Sequence, residues 1–233
     1  LLERSGVRPE TVKAVGTSGL GACALPIDAQ GKPLRKAILY GIDTRAQAEI
    51  DELEQIFGVD KIFQISGMRL SSQSTGPKIL WVKNHEPEIH REARYFLTSQ
   101  AYLVYRLTGN ATLDIFTAAD FTPLFDLHHN HWELETTAYV IPPEKLPVPT
   151  WSCDIAGTVT PEAARETGLA VGTPVIVGTT DAGAEVVSTG ANKPGDLMVM
   201  FGSSCFCVLL AEKLMPSQRL WATAWLDPSA YTL

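Results

Sequence analysis

The chain has little cysteine: four residues in 233, Cys23, Cys153, Cys205 and Cys207. Their spacing matches neither a disulfide framework nor a zinc site, which excludes a small disulfide-stapled scaffold. Cys205 and Cys207 share one face of a strand, where two small apolar residues of a core are expected. Reduced thiols without an export signal make the cytoplasm the expected compartment. Long hydrophobic runs are also missing, so no segment can span a bilayer as a helix. There is no basic stripe. Acids and bases are interspersed around a net charge of -7, and neither nucleic acid nor an anionic membrane is an expected partner. Repeats and low-complexity segments are absent. The first residue is not Met. Leu1-Leu2-Glu3-Arg4 looks like the tail of a helix and the last residues follow a hairpin, so both ends are expected to be cut from a longer protein.

What is present is ordinary globular composition, 45% hydrophobic and 19% charged, enough for one large domain or one domain and part of a second. Residues 12–17, 22–27 and 36–40 read as strands, the first two joined by the loop Ser18-Gly19-Leu20-Gly21. Residues 45–57 read as an amphipathic helix with Ile50, Leu53 and Phe57 inward and Gly58 as its stop. Residues 77–83 and 87–93 are further helices, and Ser99 is placed to cap another that runs to Leu107. Residues 114–126 mix small and aromatic side chains and give no clear pattern. Residues 127–132 hold His128, His129 and His131 without helical spacing or a flanking carboxylate motif, which favours a solvated loop over a metal site. Thr160-Pro161-Glu162 opens a helix that Gly168 ends. Residues 196–201 and 205–210 form a hairpin around Gly202, Ser203 and Ser204. Helices between strands make the class α/β.

The chain is organised around VGTPVIVGTTDAGAEVVSTG, residues 171–190. Thr173 to Gly178 is a short β-branched run, as in a buried strand. Asp181 follows it at the start of a helix, where α/β proteins open their ligand crevice. Taken alone, Asp181 is better read as a helix cap, because capping aspartates are common.

Four segments in fixed order, GKPLRKAILYGIDTRA (31–46), AYLVYRLTGNATLD (101–114), TPEAARETGLAVGTPVIVGTTDAG (160–183) and MVMFGSSC (198–205), resemble the FGGY carbohydrate kinases, in particular their xylulokinase-like branch. The resemblance implies an actin-like, ribonuclease-H-like ATPase fold, with a mixed sheet flanked by helices and two lobes about a cleft. Residues 1–185 would form most of the sugar-binding lobe and 186–233 the start of the nucleotide-binding lobe. It implies ATP, magnesium and a sugar or polyol hydroxyl as acceptor. Asp181 matches the catalytic base, which must take the hydroxyl's proton as the phosphoryl group transfers. Asp43 and Arg45 match a D-x-R on the sugar side, although Arg45 also fits a helix-start residue paired to a carboxylate. Gly202, Ser203 and Ser204 match the hairpin that approaches the phosphates.

Two features depart from the family. The first acidic hairpin and the glycine-rich adenosine segment are missing from these residues, so the 233 residues alone are expected to be inactive. The xylulokinase branch carries a Met-His pair in the loop after its early strand; here Ser18-Gly19-Leu20-Gly21-Ala22 occupies that place, with Gly19, Leu20, Gly21 and Ala22 expected on the sugar side. The substrate implied is a pentulose or related sugar. A non-catalytic sugar-binding protein derived from such a kinase is the alternative. An open sheet edge would favour aggregation or pairing into a homodimer.

Overall fold

The computed structural model describes residues 2–202 and 205–233. Its organising strand is Pro174–Ile176, antiparallel to Ile155–Thr158 and bridged in parallel to Val15. The chain turns at Gly178 (φ 73°) and continues as Thr179–Thr180, parallel to Ser18–Gly19. Two stretches, 15–19 and 175–180, therefore run side by side and end together, and Val175 and Val177 are buried between helices. The strand expected over 12–17 reduces to the single bridge at Val15.

A second ladder pairs Leu25–Ile27 with Tyr95–Leu97. The strand expected over 36–40 survives only as the bridge from Ala24 to Ile38. Pro26 and Pro33 lie within this set and bring no N–H to it, which limits the ladder.

The helix Gln47–Phe57 buries Ile50 and Leu53 on one face as its pattern requires. Gly58 ends it, but the chain enters a second helix, Val59–Ser66, at once, closed by the left-handed Gly67. The helix Thr75–His85 is different. Residues 75–80 and Val82 are all buried, Lys78 among them, so it shows little amphipathic stripe. Residues 114–126 resolve into a short helix Ile115–Ala118 capped by Asp114, a 3-10 turn Ala119–Phe121 and the strand Phe125–Asp126. Phe96, Phe121, Phe125, Ile27 and Leu53 fill the main core.

The hairpin Leu197–Phe201 with Cys205–Ala211 forms as expected. One face, with Met198, Met200, Phe206 and Val208, packs on Val186, Trp225 and Leu226. On the other, Leu197, Val199, Phe201, Cys205 and Cys207 are exposed. The two cysteines thus share a face, but it is a bare one rather than a core. Among the described residues no helix is long and apolar enough to cross a membrane.

Candidate active site

Asp181 is the first residue of the helix Asp181–Ser188, and it is exposed. The cap is Thr180, whose hydroxyl accepts from the Gly183 amide at 3.3 Å. Among the described residues Asp181 accepts only from the neighbouring Ala182 amide, at 2.9 Å. Capping of Gly183 has passed to the residue before it, leaving the carboxylate at a helix N-terminus with most of its acceptor capacity free.

The loop of Gly19, Leu20, Gly21 and Ala22 lies against Asp181's strand and is held at every residue. Gly19 is paired with Thr180. The carbonyl of Leu20 accepts the Ser99 hydroxyl at 2.8 Å. Ser99 therefore does not cap its helix; Thr98 precedes that helix without a side-chain cap bond, and Ser99 ties it to the loop. The Gly21 carbonyl accepts from the Cys23 thiol at 3.2 Å. A Cβ at Gly21 would lie 2.7 Å from the Thr180 methyl and 3.0 Å from the Asp120 carboxylate, so only glycine allows this approach.

Ala22 adopts φ 49°, a left-handed conformation that costs a residue with a Cβ about 1–3 kcal/mol. Two charged side chains hold it. Its amide donates to Asp120 Oδ2 at 3.1 Å and its carbonyl accepts from Lys78 Nζ at 3.2 Å. Burial drives the Lys78 ammonium down to about 8, partly offset by Cys23, Asp120 and Asp43. Burial, the nearby Asp114 charge and, to a lesser extent, Asp181 push the Asp120 carboxyl up to about 7, against the pull of the Ala22 amide and Lys78. Burial also raises the Cys23 thiol, with Lys78 opposing.

Asp43 reaches this group through Lys78, since both line one small depression with Ser71, Ser74 and Pro77. Arg45 pairs with Asp43 at 2.9 Å and lies over the Trp81 ring at 4.8 Å, while Arg35 lies over the same indole at 5.3 Å. The hydrogen bond from Arg45 keeps Asp43 below the usual carboxylate range. Arg45 is thus both a residue at the helix start paired to a carboxylate and a cation on an aromatic platform. The structure brings Gly19 to Ala22, Asp181 and, across Lys78, Asp43 into one neighbourhood. Gly202 is exposed at the hairpin turn. Ser203 and Ser204 lie outside the described residues.

Asp120, Lys78 and Ser99 were not found as site residues in the sequence. The first two carried a signal: Asp120 is a lone charge in the small and apolar stretch 115–125, and Lys78 a lone charge in the run 75–82 of its helix. The histidines do meet a carboxylate, because Asp126, His129 and His131 offer ligand atoms within 4.8 Å of one another at a small hairpin. A separate cleft of about 570 Å³ near Gly31, Tyr105 and Thr160 shares no residue with the site around Asp181.

Residues 1–188 match the model of the FGGY family of carbohydrate kinases, N-terminal domain. The chain belongs to the FGGY family of carbohydrate kinases. It is 33% identical over 196 residues to a xylulose kinase of Escherichia coli K12, covering 84% of this chain and 40% of that protein. It is 28% identical over 211 residues to an autoinducer-2 kinase of Yersinia enterocolitica, covering 87% and 38%. The crystal structure of a xylulose kinase from Rhodospirillum rubrum superposes with a TM-score of 0.89 at 27% identity, over 94% of this chain and 45% of that one. The fold is accordingly the actin-like ATPase fold of the FGGY sugar kinases. The chain spans about two-fifths of the length of these curated relatives.

Proposed function

We propose that the protein to which these residues belong transfers the γ-phosphoryl group of ATP to a hydroxyl of a small sugar, a pentulose or a related compound, with Asp181 as general base. The observation that carries this reading is the free Asp181 carboxylate, relieved of capping by Thr180 and set beside the loop of Gly19 to Ala22. In the step, the sugar oxygen forms its bond to γ-phosphorus, the bond to the β–γ bridging oxygen breaks, ADP leaves, and the hydroxyl proton passes to Asp181. Asp43 and Arg45 would meet other sugar hydroxyls. Family membership supports the use of ATP, whose phosphates would be met by the turn of Gly202, Ser203 and Ser204. The group of three ligand-type side chains found among the described residues is that of Asp126, His129 and His131. That group includes neither Asp181 nor Asp120; the magnesium ion that the family resemblance implies would be held mainly by the ATP phosphates with one or two carboxylates, and no step is routed through it. The matched relatives include kinases of xylulose and of autoinducer-2, while the stretch Ser18 to Ala22 lacks the Met-His pair of the xylulokinase branch. The sugar is therefore assigned by class. Residues 1–185 would belong to the sugar-side lobe and 186–233 to the nucleotide-side lobe.

The test is sugar-dependent ADP release by the full-length protein across pentuloses, hexuloses and polyols. Asp181→Ala is expected to lower kcat by several orders of magnitude while its melting temperature stays close to that of the parent. A variant with near-parental turnover would remove Asp181 from the mechanism.

A further inference from the structure

The geometry points to Asp120 as a sugar-binding residue: its carboxylate stands beside Gly21, which also meets Thr180, the residue before Asp181, and its second oxygen accepts a hydroxyl of the substrate and helps set which sugar is taken. This assignment rests on the kinase reading above and adds to it a residue that neither the motifs nor the matched family name.

Three observations carry it. First, Asp120 divides its oxygens. Oδ2 holds the Ala22 amide at 3.1 Å. Oδ1 takes no hydrogen bond from the described residues and is not sealed from solvent. A carboxylate oxygen that the protein leaves unclaimed and open keeps its acceptor capacity for a ligand group. Second, Asp120 stands where the sugar must come. Its Oδ2 would lie 3.0 Å from a Cβ placed on Gly21, and the same Cβ would meet the methyl of Thr180, the residue before Asp181, so the carboxylate borders the loop with Oδ1 left over. Asp181's own charge is felt at Asp120. Third, the backbone is strained there. Ala22 is held left-handed between Asp120 and Lys78, a conformation that persists because both charged groups grip it, and such strain concentrates at ligand sites.

The chemistry is complementary to what the loop lacks. Gly19, Gly21 and Ala22 offer no side-chain hydrogen bonds to a sugar. Their small size lets a carboxylate from a distant segment occupy the space instead. A carboxylate oxygen is an acceptor, so the ligand group it selects is a hydroxyl. A site built to bond a hydroxyl rejects the analogue that lacks it far more strongly than an apolar pocket rejects an added group.

The experiment uses the full-length protein and Asp120→Asn, which keeps the shape and an acceptor for the Ala22 amide but turns the free acceptor into a donor. Asp120→Ala is the second variant. Each is assayed on the preferred sugar and on its monodeoxy analogues, with sugar binding followed in parallel by calorimetry. On the parent sugar, Asp120→Asn is expected to lose about 10- to 100-fold in kcat/KM and in affinity. On the one analogue lacking the hydroxyl that Asp120 holds, wild type and variant should agree within about twofold, because that bond is already gone. An equal loss on every analogue, or no loss on any, overturns the assignment. The calorimetric arm reads the same pattern without phosphoryl transfer, so sugar binding without ADP release would sink the kinase reading and leave Asp120 judged on its own data.

Discussion

Thr179 donates its hydroxyl to the Asp114 carboxylate at 2.8 Å, and both side chains are buried. The same carboxylate accepts from Gln100 Nε2 and from the Thr117 amide, each at 3.2 Å. One acidic side chain thus ties the strand before Asp181 to two helices. Burial pushes its carboxyl above the usual range, against these three bonds. Thr179→Val is expected to cost about 1–3 kcal/mol, the range for leaving a buried polar partner short of a bond. Asp114→Ala, which orphans three donors, should cost more. Urea unfolding of both variants checks the order, and a Thr179→Val variant as stable as the parent would show that the bond does not hold the strand.

Gly178 and Gly172 make a matched comparison on either side of the Pro174–Ile176 strand. Both have positive φ, 73° and 86°. A Cβ on Gly178 would lie 2.2 Å from the Thr17 carbonyl oxygen, whereas one on Gly172 meets nothing within 4 Å. Gly172→Ala should therefore cost only the left-handed penalty of about 1–2 kcal/mol. Gly178→Ala must also push two paired backbones apart, and it is expected to lose at least about 1–3 kcal/mol more. Thermal melts of the pair would reject this account if the two variants melted together.

His90 sets a pH dependence. Its ring bonds the Val140 carbonyl at 3.1 Å, and burial, then the Lys145 cation, lowers its pKa to about 4. An unfolded chain takes up this proton near 6.5, the folded one only near 4. Stability from this residue is full above 6.5 and is lost as the pH falls toward 4. Asp120 acts in the opposite sense, since its raised carboxyl favours the folded state at low pH and that contribution fades as pH rises through about 7. A single variant isolates the histidine. His90→Gln, which keeps a donor for Val140, should flatten the decline in urea midpoint between pH 6.5 and 4.5. Parallel curves for parent and variant would mean that His90 is not its source.

Strong local patterns were legible in the chain. The Gln47–Phe57 helix, the Thr160-Pro161 helix start and the hairpin after Asp196 follow from periodicity, capping chemistry and turn residues. So was the place of Asp181 at a strand end. Strands 12–17 and 36–40 shrank to single bridges because β-branched content does not tell how many partners a strand finds in space. The helix Val59–Ser66 is hidden in the sequence because Gly58 reads as a stop, although a glycine can join two helices as well as end one. Asp120 and Lys78 were missed for another reason. Each acts across long separations, on the backbone of a residue 98 and 56 positions away, and no local spacing encodes such a meeting.

Cys23 gives the site a built-in clock. Its thiol is 2% exposed, bonded to Gly21, and held in the less reactive protonated form by burial, whereas Cys153, Cys205 and Cys207 are exposed. A thiol reagent should therefore titrate three groups quickly and one slowly, the slow phase reporting how often the loop beside Asp181 lifts away from it. A bound sugar that rests on this loop would slow that last thiol and leave the other three unchanged.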